Sequence, residues 1–402
     1  MHVPMHVSPL RAASTLALAL SAATLAAPAQ AAPAELYIDA ATHAMPGMPG
    51  MGAMGRLAGA MGGQRPSYGM TRHPGMPGRY LDVALYNRAA PGQPATQAVP
   101  KGLQLGNSIE LLARERGRDE AAGSHDGSGG LGLADGASYR VRYFWGCGEQ
   151  ARSGQPVEYS MTVRNGKPVQ GGRAMAPRQV PAQGPDIGPQ HVLWPNPGAR
   201  RGVSDTASLV GTHRLEGSGL PASLQFALDR GDDFLPRIEL DSTGSPGEGM
   251  ALEWNPVDGA RGYFIHAMAS QGDTIVMWSS SEDGYAGPEL MDYLPEALLA
   301  QWTGKRTVLG ADARSCRIPA EVFAGVDAAP MVQMVAYGSQ RSIAQPRPAD
   351  AGRDWSPAWT VRVRSKSTAM LVPGLAAGAT RDAARPAAKE TARGLLRGLL
   401  GN

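Results

Sequence analysis

The sequence has 402 residues, enough for two or three domains of roughly 150 residues each. Its 52 glycines and 33 prolines make up about a fifth of the chain, whereas 18% of residues are charged and 6% are aromatic. This composition is typical of β modules joined by irregular segments, and it excludes a coiled coil or a helical bundle. The net charge of +3 predicts no global attraction to nucleic acid or to anionic membranes.

The first 31 residues have the layout of a secretory signal peptide. Arg11 supplies a positive charge, residues 16–27 are apolar and uncharged, and Ala29-Gln30-Ala31 provides a small-residue cleavage site. The apolar stretch is shorter than the ~20 residues that span a bilayer, and no later segment predicts a transmembrane helix. We therefore predict cleavage near Ala31/Ala32 and a periplasmic or secreted product. Arginine outnumbers lysine 33 to 5, and this GC-rich codon usage favours a bacterial source.

Two cysteines, Cys147 and Cys316, follow the predicted cleavage site. In an oxidising compartment they could form one disulfide and stabilise the fold. However, they lie in different predicted regions, so two buried thiols or one reactive thiol stay open as alternatives. No CxxC redox or zinc motif is present in the sequence.

Changes in composition divide the mature chain into four parts. Residues 32–78 form a low-complexity segment rich in Met, Gly and Pro, which we interpret as a disordered linker. Residues 79–234 predict a β-rich domain, and residues 235–366 predict a second one. Residues 367–402 are Ala-rich, and their last leucines indicate a short amphipathic helix within a frayed tail.

Period-2 alternation and turn residues predict the strands of the two β regions. In the first region we expect strands at Tyr80–Tyr86, Tyr139–Tyr143, Val157–Val163, Ser208–Leu215 and Ser223–Leu228, with loops over 113–136 and 165–204. In the second we expect strands at Met250–Val257, Tyr263–Ala267, Thr274–Trp278, Cys316–Pro319, Val332–Tyr337 and Trp359–Arg364. The chain is therefore predicted to be mainly β, with two sandwich-like regions.

The second region resembles a fibronectin type III domain. LEWNPVDGARGYFIHA looks like the second and third strands of that family, with Trp254 as the core tryptophan. MVQMVAYGSQ and WSPAWTVRVRS look like its last two strands. Met331 stands where the family usually has a tyrosine, and residues 284–312 form an insertion with a helix predicted near Pro295-Glu296. The resemblance implies a β-sandwich that binds or spaces rather than catalyses.

The methionine spacing gives the sharpest chemical hypothesis. Met45, Met48, Met51 and Met54 recur every three residues, and His43 precedes them. Thioether sulfur is a ligand that Cu(I) prefers, and a flexible chain could wrap several around one ion. The arrangement resembles the methionine-rich segments of periplasmic copper-handling proteins. The alternative is a linker in which the repeats carry no metal.

Other residues give weaker signals for chemistry. His213 lies near Asp205 and Ser208 in sequence and could belong to a hydrolytic set. Asp229, Asp232 and Asp233 offer oxygen ligands but lack the spacing of a calcium loop, so a solvated turn is the favoured interpretation. No zinc-protease or nucleophile-elbow motif occurs in the sequence.

The sequence therefore predicts no enzyme. We expect an exported, non-catalytic binding or structural protein of the bacterial envelope, with an unidentified protein or envelope partner and no cofactor. Two alternatives remain: a periplasmic Cu(I)-binding protein that uses the methionine-rich segment, and a hydrolase with an unrecognised site.

Overall fold

The computed structural model describes residues 33–46, 66–72, 76–114, 136–165, 167–171, 180, 184–284 and 286–374. Within them the protein is mainly β, with 18 strands, one α-helix and three 3-10 turns. The predicted signal peptide, residues 47–65 of the predicted linker and the tail beyond residue 374 lie outside the described residues. No helix in the described part of the chain is long and apolar enough to cross a membrane.

Most of the strands are short, and they follow one another with little helix between them. They are β1 (Ala34–Ala44), β2 (Gly78–Asn87), β3 (Ala95–Ala98), β4 (Ser108–Ala113), β5 (Ser138–Trp145), β6 (Val157–Arg164), β7 (Lys167–Gly171), β8 (His191–Trp194), β9 (Gly211–Gly217), β10 (Gln225–Leu228), β11 (Leu240–Ser245), β12 (Gly249–Trp254), β13 (Gly262–Gln271), β14 (Thr274–Ser279), β15 (Leu309–Gly310), β16 (Ser315–Ile318), β17 (Met331–Ala344) and β18 (Trp359–Leu371). The helix α1 spans Glu296–Gly304, and the 3-10 turns lie at Lys101–Leu103, Arg230–Asp232 and Pro288–Leu290.

The described strands form two hydrogen-bonded sheets. The larger has the order β10-β9-β3-β4-β8-β2-β1-β18-β17-β13-β14-β5-β6-β7, with β15 paired to β13, and the smaller is β11-β12-β16. Two neighbouring pairs, β1 with β18 and β14 with β5, run parallel. Each parallel pair joins strands that are far apart in sequence, so the large sheet connects the N-terminal and C-terminal parts of the chain.

The first hydrophobic core lies where the large sheet turns back on itself. β4 pairs with β3 along its first residues and with β8 at Leu112 and Ala113, so it belongs to both layers. Apolar side chains at alternate positions of β1 and β18 meet those of β9 and β10 in this core. Buried members include Leu36, Val361 and Phe226. Together these layers make the first sandwich-like region.

The second core lies between the small sheet and strands β13, β14, β17 and β18. Leu252 and Trp254 of β12 pack there with Ile265 of β13 and Met334 of β17. The Trp254 ring lies 5.6 Å from that of Tyr263 at a tilted angle, a favourable geometry for two aromatic rings. These contacts bury the inner faces of both sheets, as in a β-sandwich.

β17 and β18 are long enough to take part in both cores. Val361 and Val363 of β18 belong to the first core, whereas Ala369 and Leu371 belong to the second. The register between the two strands shifts between Tyr337 and Gln340, which is the position of a β-bulge. Because these strands are continuous, the two cores are parts of one framework.

The insertion predicted over 284–312 packs on the outer face of β13 and β17. Leu290, Leu299 and Trp302 cover Phe264 and Val335 in a third apolar cluster. The helix α1 begins at Glu296, after Pro295, so the predicted helix in this insertion is confirmed.

Several strands of the first half were not predicted: β1 lies in the predicted linker 32–78, β7 and β8 lie in the predicted loop 165–204, and β3 and β4 lie where no strand was expected. β1 was missed because its buried positions are largely small residues such as Ala40 and Ala41, which have weak strand signals. β8 was missed because all four residues of His191–Trp194 are buried, so the sequence shows no alternation there. Hydrogen bonds also cross the predicted boundary at 234/235, since β1 pairs with β18 and β5 with β14.

A disulfide joins Cys147, in the loop after β5, to Cys316 of β16. The two cysteines are 169 residues apart in sequence, and Cys316 is buried beside the second core. Their pairing follows from the parallel contact of β14 with β5, which brings the end of β5 to the second core.

Replacing both cysteines with serine is expected to lower the free energy of unfolding by about 2–5 kcal/mol. The reason is that the unfolded chain loses a crosslink spanning 169 residues. Urea unfolding followed by tryptophan fluorescence measures the difference. Reduced wild-type protein should behave like the double variant, and equal stability of the variant and the oxidised wild type would contradict this role.

Candidate functional site: a buried ionic cluster on the central strands

Buried charges concentrate on the three central strands β2, β1 and β18. Asp39 lies directly opposite Asp82 on one side and Arg364 on the other. Because side chains alternate along a strand, these three point away from Ile38 and Val363, which belong to the first core. We use the name ionic cluster for Asp39, Asp82, Asp292, Arg72, Arg364 and Lys366.

Asp39 and Arg364 form the centre of the ionic cluster. Arg364 donates from Nε to Oδ1 at 2.5 Å and from Nη2 to Oδ2 at 2.7 Å, so the contact is bidentate. Both residues are almost completely buried. Burial disfavours the charged guanidinium, but Asp39 outweighs this effect and raises the pKa of Arg364 above its usual value.

Asp292 lies in the loop before α1 and contacts the other two cations of the ionic cluster, Lys366 and Arg72. Lys366 Nζ donates to its Oδ1 at 2.9 Å, and Arg72 Nε lies 3.2 Å from its Oδ2. Burial alone would raise the pKa of Asp292, yet Lys366 and Arg72 hold it well below its usual range. Burial also lowers the pKa of Lys366, and the attraction of Asp292 opposes that shift.

Tyr293 packs against both buried cations. Its ring centre lies 4.2 Å from the Arg364 guanidinium carbon and 4.6 Å from Lys366 Nζ, distances suited to cation–π contact. Its hydroxyl donates to the carbonyl of Ala40 at 3.0 Å. The residues before α1 are therefore attached to β1 and β18 through one aromatic side chain and its acidic neighbour.

Asp82 holds a second segment, residues 66–72, which we call the strap. Its carboxylate accepts hydrogen bonds from the backbone N–H of Gly69 at 3.0 Å, from the backbone N–H of Thr71 at 3.2 Å and from the Thr71 hydroxyl. Burial raises the pKa of Asp82 to about 7 in spite of these donors, and the nearby charge of Asp39 adds to the rise. The strap is thus fixed to β2 by a carboxyl group whose charge changes near neutral pH.

Two adjacent carboxyl groups with different environments are a typical acid–base arrangement. Here Asp39 and Asp82 are each 4% exposed, and their oxygens are directed at Arg364 and at the strap. Both carboxyl groups are therefore shielded from solvent in this arrangement. The geometry therefore supports an anchoring role, in which the cluster fastens the strap and the loop before α1 to the central strands.

The residues predicted for copper occupy different surroundings. His43 lies on β1, 2% exposed, with Nδ1 2.5 Å from Thr368 Oγ1 and its ring 5.2 Å from that of Tyr80. Met45 directly follows β1, whereas Met48, Met51 and Met54 lie outside the described residues. The structure places His43 inside the fold, and the Cu(I) hypothesis stays a prediction.

The predicted hydrolytic set has other partners in the structure. His213 is fully buried, with Nδ1 3.0 Å from Gln97 Nε2 and Nε2 2.8 Å from the Leu209 carbonyl. Burial lowers the pKa of this imidazole. The Ser208 hydroxyl donates to Asp233 at 2.6 Å. The hydroxyl and the imidazole therefore serve separate local hydrogen-bond networks.

The aspartates considered for calcium stabilise a turn. Asp229 and Asp232 form a capping box around the 3-10 turn Arg230–Asp232, and Arg341 Nη1 lies 2.5 Å from Asp232 Oδ2. Within the described ranges, no group of three or more His, Cys, Asp or Glu side chains is arranged to hold a metal ion. The favoured interpretation of these aspartates as a turn agrees with their contacts, although Asp232 is buried rather than solvated.

The ionic cluster was not predicted from the sequence, although a signal for it exists. Asp39 and Asp82 each stand alone in an apolar stretch, LYIDAAT and RYLDVALY, where a buried charge needs a partner. Arg364 and Lys366 alternate with residues that face the opposite side of β18. The sequence does not reveal the pairing of β1 with β18, which brings these residues together.

No protein-family model matches the chain, and no curated protein is significantly similar to it.

Arg364→Met is expected to lower the free energy of unfolding by about 3–5 kcal/mol, because it leaves the Asp39 carboxylate buried without its main partner. Combining it with Asp39→Leu removes both charges and is expected to restore part of the loss. Urea unfolding of the single and double variants measures both changes. Arg88→Met, at an exposed arginine, is the control. A double variant no more stable than Arg364→Met would contradict the ion-pair explanation.

Asp82→Asn tests the raised pKa of this carboxyl group. The pKa of Asp82 is about 7 in the folded protein, whereas its usual value is 3.8. At pH values between these two, the folded protein keeps a proton on Asp82 that the unfolded chain has lost. The contribution of Asp82 to stability therefore decreases as pH rises through this window. We expect the stability of Asp82→Asn relative to wild type to be more favourable at pH 8 than at pH 5. Urea unfolding at both values measures it, and a constant difference would contradict the shift.

Proposed function

We propose that the chain is an exported, non-catalytic binding or structural protein of the bacterial cell envelope. The observation that carries this proposal is the disulfide between Cys147 and Cys316. Disulfides persist in oxidising compartments such as the periplasm and are rare in the cytosol. An exported location also fits the signal-peptide features of residues 1–31.

The arrangement of the second core supports a fibronectin type III-like interpretation of this region. The proposed second strand, β12, lies in the small sheet, whereas the proposed third strand and the last two, β13, β17 and β18, lie side by side in the large one. Immunoglobulin-like sandwiches divide their strands between two sheets in this way. Trp254, the proposed core tryptophan, is buried between them. Fold alone does not give function, but such modules commonly present surfaces for binding.

The contacts of the buried charged side chains support a non-catalytic role. Asp39, Asp82 and Asp292 hold structural partners, and His213 and Ser208 belong to local networks. These groups therefore stabilise the framework, and a binding function would depend on exposed sheet faces and loops.

Expression of the full chain in a Gram-negative host tests the export proposal. We expect mature protein in the periplasmic fraction, with its N-terminus near Ala32 and no thiol labelled before reduction. A variant lacking residues 2–31 should remain in the cytoplasm with two labelled thiols. Retention of the full chain in the cytoplasm would overturn the proposal. Turnover of ester, glycoside or peptide probes by purified mature protein would overturn its non-catalytic part.

A further inference from the structure

A groove of about 430 Å³ lies at the margin of the second core. Its floor is the face of strands β14, β5 and β6 that carries Val276, Arg140, Arg142 and Glu158, and residues 324–326 form the opposite wall. Val276 also belongs to the second core. The groove therefore lies at the boundary between the apolar part and the polar part of this sheet face.

The strand register brings the two arginines to this face. Arg140 is opposite Thr274 and Arg142 is opposite Val276 on β14, while Glu158 is opposite Arg142 on β6. Residues two apart on a strand point to the same side and are separated by roughly 6–7 Å. Two guanidinium groups thus project from one rigid strand into the same groove.

The two arginines differ in their contacts. Arg142 Nε lies 3.4 Å from Glu158 Oε1, and its guanidinium carbon lies 5.5 Å from the ring centre of Phe144. Arg140 is exposed and makes no ion pair with any described residue. Asp273 and Asp327 are adjacent in sequence to the lining residues Thr274 and Val326. The Thr274 hydroxyl donates to Asp273 Oδ1 at 3.4 Å, and the backbone N–H of Asp327 donates to Gln271 Oε1 at 3.2 Å. One cation is therefore held in place, and the other is available.

We propose that this groove binds a ligand that carries two carboxylates. One carboxylate would accept hydrogen bonds from Arg140, and the second would replace Glu158 at Arg142. Guanidinium groups bind carboxylates in a bidentate manner, and the placement of both arginines on β5 fixes the spacing of their backbone positions before binding. The groove has a volume within the range of small-ligand pockets, about 300–1,000 Å³.

The same chemistry is offered by an acidic peptide in extended form and by a small dicarboxylate. In an extended peptide, glutamates at alternate positions have nearly the spacing of Arg140 and Arg142. This inference rests on the proposed binding function. Its failure would leave export and disulfide formation unaffected, so the two proposals can be separated.

Calorimetric titration of the oxidised mature protein, residues 32–402, tests the groove. A tetraglutamate peptide is the first probe, and adipate is the second. Arg140→Gln is expected to weaken binding at least about tenfold, the usual contribution of one charge-assisted hydrogen bond. Glu158→Gln is expected to tighten binding, because Arg142 loses its internal competitor. Arg88→Gln, at an exposed arginine outside the groove, should bind as the wild type does.

Binding in the groove is supported if either probe binds to the wild type and to Arg88→Gln but binds more weakly to Arg140→Gln. The probe that binds more tightly identifies the source of the carboxylates. No binding of either probe by wild type, or equal binding by Arg140→Gln and wild type, overturns the proposal. Because Arg140 is exposed, its variant should unfold at the same urea concentration as the wild type, which excludes misfolding as the cause.

Discussion

The buried contact between Asp39 and Arg364 lies where β1 and β18 pass from the first core to the second. On either side of it these strands carry apolar side chains such as Val363 and Leu371. Between them the inward positions hold small residues, including Ala40 and Ser365, which bury little apolar area. The opposite charges therefore meet at a point where the inward faces of the two strands bury little apolar area.

This interaction specifies the register of the sheet more than it adds stability. Removing two charges from water costs much of what their attraction returns, so a buried pair contributes little net free energy. A shift of one residue, however, would turn Arg364 toward the first core and remove Asp39 as its partner. The contact thus selects one alignment for two parallel strands whose paired residues are 325 apart in sequence. The long strands then fix both cores in one framework.

Alternation predicted the strands whose two faces differ, such as β5, β6 and β10. It could not reveal which strands are neighbours, because parallel pairing of β1 with β18 or β5 with β14 depends on distant parts of the chain. For the same reason the sequence left the pairing of Cys147 and Cys316 open. Asp39 and Asp82 were visible as isolated charges in apolar strands, but their partners follow from that unpredicted topology. Residues that act alone were therefore easier to interpret than residues that act in pairs.

The ionic cluster also takes part in attaching residues 45–77 to the sheet. This segment connects β1 to β2, and its two ends are held by contacts on the same sheet face: His43 with Thr368 at the start, and the strap with Asp82 near the end. The hydrogen bonds that hold the strap depend on the protonation of Asp82. Attachment of the strap and protonation of Asp82 are consequently linked, because the charge of this carboxyl group changes the free energy of the contact that holds the strap.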